Sequence, residues 1–130
     1  MAPISGDFDE DSRNVDRFLI EQIDTVPHLE ALLLLWNSRP GAWSSEDMAK
    51  SLYIGAGLAE SILKDLARKG LVTTEGASFY YQPEPRRDLL VGSIEVTYRR
   101  ELIRISRLIH TKPSAAIRDF ARAFRLKKDE

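Results

Sequence analysis

The sequence predicts a mostly α-helical domain with one small β-hairpin, and three observations predict it. Apolar residues recur at helical spacing from Val15 to Ile23, from Leu29 to Trp36 and from Val91 to Leu108. A capped start at Ser44 and a glycine stop at Gly70 enclose two short helices with a glycine-containing turn between them. Directly afterwards, two runs of strand-forming residues flank Glu75-Gly76-Ala77, which has the length and the glycine of a tight hairpin. Helix, turn, helix and hairpin is the order of a winged helix-turn-helix, a module whose second helix most often lies in a DNA major groove.

The chain of 130 residues, 43% of them hydrophobic, suits one compact domain with a real core. Cysteine is absent, which excludes a disulfide framework and a zinc-thiolate site. The amino end is acidic, and the apolar run from Ala31 to Trp36 is too short to span a bilayer, so the chain reads as cytoplasmic with no membrane partner.

Residues 1–12 are acidic and poor in apolar side chains, and are expected as a flexible tail. Residues 13–85 are expected as an arm helix plus the winged-helix body, and residues 86–130 as a helical extension for packing or dimerisation. Val15, Phe18, Leu19 and Ile23 form the stripe of the arm helix, which covers either the core of its own chain or a second subunit. Thr25-Val26-Pro27 opens the next helix, since proline is tolerated in a first turn, and the helix should reach about Asn37. It is apolar on so many sides that it must lie between layers. Ala42-Trp43 fits a short first strand that joins the wing.

Ser44 with Asp47 makes a capping-box-like start. Met48, Ala49 and Leu52 share one face of this helix, and Gly55-Ala56-Gly57 is expected as the turn. The second helix should turn Leu58, Ile62, Leu63 and Leu66 inward and Glu60, Ser61, Lys64 and Arg68 outward, with Gly70 as its left-handed cap. Pro83 and Pro85 end the second wing strand.

From about Arg87 to His110 the spacing predicts one long helix, on the order of 35 Å, longer than the winged-helix body can cover. Its surplus is expected to pack on a second chain, as a homodimer, or on the last helix. That last helix, Ala115 to about Leu126, pairs Ile117, Phe120, Ala121 and Phe124 with the opposing Arg118, Arg122 and Arg125.

Met48 to Leu52, Ile54, Ile62, Leu66 and the Lys69-Gly70-Leu71-Val72 ending resemble the core positions of bacterial MarR-like and related winged-helix transcription regulators. The resemblance implies a winged-helix fold, dimerisation through the flanking helices, and DNA binding. Relatives place polar or basic side chains on the turn and on the first exposed turns of the second helix, positions filled here by Gly55, Ala56, Gly57, Glu60, Ser61 and Lys64. Only Lys64 is cationic among these. Glu60 repels phosphate unless it accepts from a cytosine amine, and the short wing carries Glu75 where relatives often present arginine.

Charge is polarised along the chain. Residues 1–24 carry a net charge of −5, the middle −2 and residues 86–130 +6. Arg100, Arg104 and Arg107 lie three or four apart, which reads as an auxiliary phosphate or acidic-partner stripe, or as a solvated face with local ion pairs. The histidines His28 and His110 lack metal-ligand spacing and read as helix-end or surface residues, so no metal, cofactor or catalytic centre is expected. Two functions remain. One is a dimeric DNA-binding regulator that uses Gly57, Glu60, Ser61, Lys64 and Arg68. The other is a protein-interaction adaptor that keeps the fold without specific DNA binding.

Overall fold

The structure, a computed structural model, describes residues 3–112. Its elements in order are α1 (Pro3–Gln22), α2 (Val26–Asn37), β1 (Trp43–Ser44), α3 (Ser45–Leu52), α4 (Ala56–Arg68), β2 (Val72–Glu75), β3 (Ser78–Tyr81), α5 (Pro85–Arg100) and α6 (Leu102–Thr111). The expected helix from Ala115 to Leu126 lies outside the described residues.

α2 is the centre. Leu29, Leu32 and Leu35 are fully buried, and Ala31 and Leu33 carry the apolar surface round the helix. α3, α4, β3, α5 and α6 all pack against it. The helix starts as expected, with Thr25 as N-cap accepting from the His28 N–H and proline in the first turn. Near its C-terminal end Trp36 meets Tyr81 edge-on at 5.2 Å, and the Arg39 guanidinium lies 3.3 Å over the Trp36 ring.

The winged motif follows the sequence closely. The Ser44 hydroxyl accepts from the Asp47 N–H and caps α3. At the end of α4, Gly70 adopts φ +76°, its N–H bonds to Ala67 O, and the Leu71 N–H bonds to Leu66 O. These two bonds make a Schellman cap, with Leu66 and Leu71 buried beside each other's turn. β2 and β3 pair antiparallel with Glu75 opposite Ser78, so Gly76-Ala77 is the whole of the wing tip. β1 adds to the far side of β3, Trp43 opposite Phe79, in the order β1-β3-β2.

Four expectations are corrected. α1 begins at Pro3 rather than at Arg13, because adding residues to a formed helix is far easier than nucleating one. Gly55 is the N-cap of α4, and Ala56 and Gly57 belong to the helix itself. The buried face is Ala59, Ile62, Leu63 and Leu66, and Leu58 falls about a quarter turn away from it, 52% exposed. The sharp bend comes earlier, at Tyr53, which takes φ +57° with its side chain 94% exposed.

The fourth correction is the long helix. It breaks at Glu101 (φ −129°, ψ 47°), whose N–H ends α5 on Thr97 O and whose carbonyl accepts from Ile105 N to start α6. The break turns α6 back onto α1 and α2 and buries Ile105 and Ile109. Burying two isoleucines is worth about 1.5–3 kcal/mol each, more than the few backbone bonds given up at about 0.5–1.5 kcal/mol each. Arg104 holds the fold-back, bonding Glu101 at 2.8 Å and Asp16 of α1 at 3.1 Å. Lys112, at the end of α6, donates to the carbonyls of Leu19, Ile20 and Ile23 around the end of α1.

Two left-handed residues give opposite expectations. A Cβ at Gly70 meets nothing within 4 Å, so Gly70→Ala should cost only the backbone strain, about 1–2 kcal/mol in denaturant unfolding. Tyr53 already bears that strain with no packing in return, so Tyr53→Gly should leave stability unchanged or raise it by about 0.5–1 kcal/mol.

The wing is tied to α5 by Tyr81, whose hydroxyl donates to Asp88 Oδ1 at 2.5 Å. This bond holds the Asp88 carboxyl below its ordinary value. Burial first, and then the same bond, pushes the Tyr81 phenol up to about 12. The Asp88 contribution is therefore present above its unfolded value of 3.8 and is lost as pH falls through the lower folded value. The Tyr81 contribution is complete below 10 and disappears as pH rises through about 12. Acid unfolding of Tyr81→Phe should lose the carboxylate component, and alkaline titration of the phenols should show Tyr81 ionising last, with Tyr98 also delayed by its burial.

Candidate nucleic-acid interface

α4 presents two contrasting faces. Inward, Ala59, Ile62, Leu63 and Leu66 are all within 1% of full burial. Outward, the predicted set of Gly57, Glu60, Ser61, Lys64 and Arg68 is solvent-exposed along one side of the helix, at steps of three or four. The structure thus brings these five residues together. Helix packing places them, since α4 cannot rotate without exposing its aliphatic face.

Electrostatics on this face are muted. Lys64 Nζ lies 3.0 Å from Glu60 Oε1 one turn earlier, and Arg68 pairs with Asp65. Both cations predicted to meet phosphate are therefore engaged with carboxylates of their own helix. Exposed pairs of this kind are weak, about 0.3–0.5 kcal/mol, so a polyanion could capture either cation. Gly55 caps α4 without a side-chain bond, which leaves the first N–H groups of the helix facing solvent. The wing adds no cation, only Thr74, Glu75, Gly76 and Ala77, all exposed.

The auxiliary arginines are divided between two helices. The break at Glu101 puts Arg100 on α5 and Arg104 and Arg107 on α6. Arg104 is committed to Asp16 and Glu101, so part of the acidic amino-terminal charge meets the basic carboxy-terminal charge inside the chain.

Sequence reasoning missed two groups. Tyr53 projects from the turn between α3 and α4 in a backbone conformation unusual for a bulky residue. Its signal was an aromatic side chain belonging to no apolar stripe. His28 was expected at a helix end or on the surface. It does sit in the first turn of α2, but it is 6% exposed. Its Nε2 lies 2.8 Å from Asp65 Oδ2 on α4, and its Nδ1 lies 2.6 Å from Thr25 Oγ1. Asp24 stands beside it and pairs with Lys69 at 3.3 Å. Burial pulls the imidazole below its ordinary pKa, with Asp24 opposing and Lys69 and Lys112 assisting. Burial acts upward on Asp24, but the charge and hydrogen bond of Lys69, together with the charges of His28 and Lys112, hold that carboxyl low. No spacing in the sequence could have shown this, because residues 24, 28 and 65 meet only in the folded chain.

No described helix is long and apolar enough to cross a membrane. No protein-family profile matches the chain, and no curated protein matches it in sequence. Among solved structures, the fold is similar to that of MepR, a transcription regulator of the Staphylococcus aureus multidrug efflux pump MepA. The TM-score is 0.50 at 17% identity, over 96% of this chain and 92% of that one. A MarR family protein from Bacillus stearothermophilus aligns over 97% of this chain and 88% of its own, at 16% identity and a TM-score of 0.47. The likeness is one of fold, and it agrees with the order and pairing of the elements: the chain has a winged helix-turn-helix architecture.

Proposed function

We propose that the chain is a dimeric winged-helix regulator of transcription, acting in the bacterial cytoplasm, that lays α4 in the DNA major groove. The observation that carries the reading is the outward face of α4, where Gly57, Glu60, Ser61, Lys64 and Arg68 form a polar strip backed by a fully packed helix. Gly57 allows close approach, and Ser61 reaches a base edge or phosphate. Glu60 accepts from a cytosine amine, and Lys64 and Arg68 meet the backbone. Arg100 and Arg107 supply further positive charge on α5 and α6.

Dimerisation is supported by apolar side chains left in water on the flanking helices. Leu89 is 79% and Ile103 68% exposed, and Val96 and Leu102 are about half exposed. Exposed aliphatics on neighbouring helices mark an interaction surface. Excess helix length no longer supports a dimer, since the break at Glu101 removes that surplus. Leu89→Asp and Ile103→Asp should each shift the chain from dimer to monomer in light scattering, with circular dichroism unchanged.

The second reading, an adaptor that docks another protein, is favoured by the exposed Tyr53 and Leu58 at the tip and by the on-helix pairing of both cations. Fluorescence polarisation with random and operator-rich duplexes at two salt concentrations separates the two. On the DNA reading, Lys64→Ala weakens binding and lowers the salt slope by about 1. Glu60→Gln, which frees Lys64, should tighten nonspecific binding roughly two- to fivefold, or about 0.5–1 kcal/mol. Retention that ignores sequence and both substitutions defeats the DNA reading and leaves the adaptor.

A further inference from the structure

We infer that Asp24, His28 and Asp65 form a binding site for a first-row divalent cation, of the zinc or manganese class, at the junction of α1, α2 and α4. One ligand atom from each residue converges, and all three lie within 4.8 Å of one another. Three donors at about 2.0–2.2 Å from one ion lie roughly 3.3–3.8 Å apart, so the widest pair must draw in by about 1 Å to close the set. One imidazole nitrogen with two carboxylate oxygens suits zinc or manganese, and the lack of thiolate disfavours copper(I).

The second layer of contacts is already built for ligation. The Thr25 hydroxyl faces Nδ1 at 2.6 Å, so a ring ligating through Nε2 carries its proton on Nδ1 and donates it to Thr25 Oγ1. Asp65 divides its oxygens, Oδ1 to Arg68 and Oδ2 toward His28, so Oδ2 can turn to the ion while Oδ1 keeps its partner. Lys69 now supplies positive charge to Asp24 at 3.3 Å, but it also donates to Gln22 O at 2.6 Å and retains that acceptor when the ion takes the carboxylate. The site thus already holds a cation against one of its carboxylates, that of Asp24. Asp24 and Asp65, both partly exposed, leave room for water as the remaining ligands. The ammonium of Lys69 and the guanidinium of Arg68 limit the affinity, and that makes a testable signature. The three ligands join the interhelical segment, α2 and α4, so occupancy fastens α4 to the helices behind it.

The test is calorimetric titration and thermal unfolding of the full chain with zinc(II), manganese(II) and magnesium(II), before and after EDTA. Expected are one ion per chain, a melting temperature that rises with zinc or manganese and returns with EDTA, and little response to magnesium. His28→Gln and Asp24→Asn should each weaken binding at least tenfold, His110→Gln should leave it unchanged, and Lys69→Met should tighten it. Asp24→Asn keeps the test valid if His28→Gln fails to fold. Absence of binding to the wild-type chain, or equal binding by the His28 and Asp24 variants, overturns the inference. None of these readouts involves DNA, so they stand or fall apart from the proposed function.

Discussion

Every layer of this domain answers the need to cover α2. A helix with Leu29, Leu32 and Leu35 completely buried and apolar flanks on both sides cannot sit at a surface. The elements α3, α4, β3 and α5 pack against it, and α6 folds back onto it as well. Ile94, Ile105 and Ile109 supply that closing layer. The position of α4, and so of every outward residue on it, follows from this packing.

The body was legible because its signals are local. Ser44, Gly70, Gly76 and Pro27 each fix a backbone feature within a few residues, and the structure places each where the sequence put it. The outward strip on α4 was legible for the same reason, being a matter of helical phase. What escaped was nonlocal. The break at Glu101 depends on an energetic balance between continuing a helix and burying Ile105 and Ile109, and the periodic pattern alone suits both outcomes. Leu58 was misplaced because the small Ala59 takes the inward position, with Leu58 about a quarter turn away, while Ile62, Leu63 and Leu66 stay on the expected face. The contact of His28 with Asp65 spans 37 positions and belongs to no motif.

The charged surface shows why net charge along the chain predicts little about binding. The acidic first segment and basic last segment partly cancel through Asp16 and Arg104, and the α4 cations are matched by Glu60 and Asp65. What distinguishes the α4 tip is therefore shape and exposed apolar surface, in Tyr53 and Leu58, as much as charge. Strain at Tyr53 with no compensating contact is the kind of feature that function retains and stability alone does not.

The Lys112 clamp has a consequence for how the domain is made. Its ammonium bonds to carbonyls of Leu19, Ile20 and Ile23, some ninety positions earlier, and α1 finds its neighbours on α5 and α6. At a synthesis rate of about 5–20 residues per second, the first helix leaves the ribosome several seconds before anything exists to cover Val15, Leu19 and Ile23. The winged motif can collapse on α2 in that interval, so a nascent chain halted before α5 and α6 are made exposes a greasy amino-terminal helix for chaperones to hold.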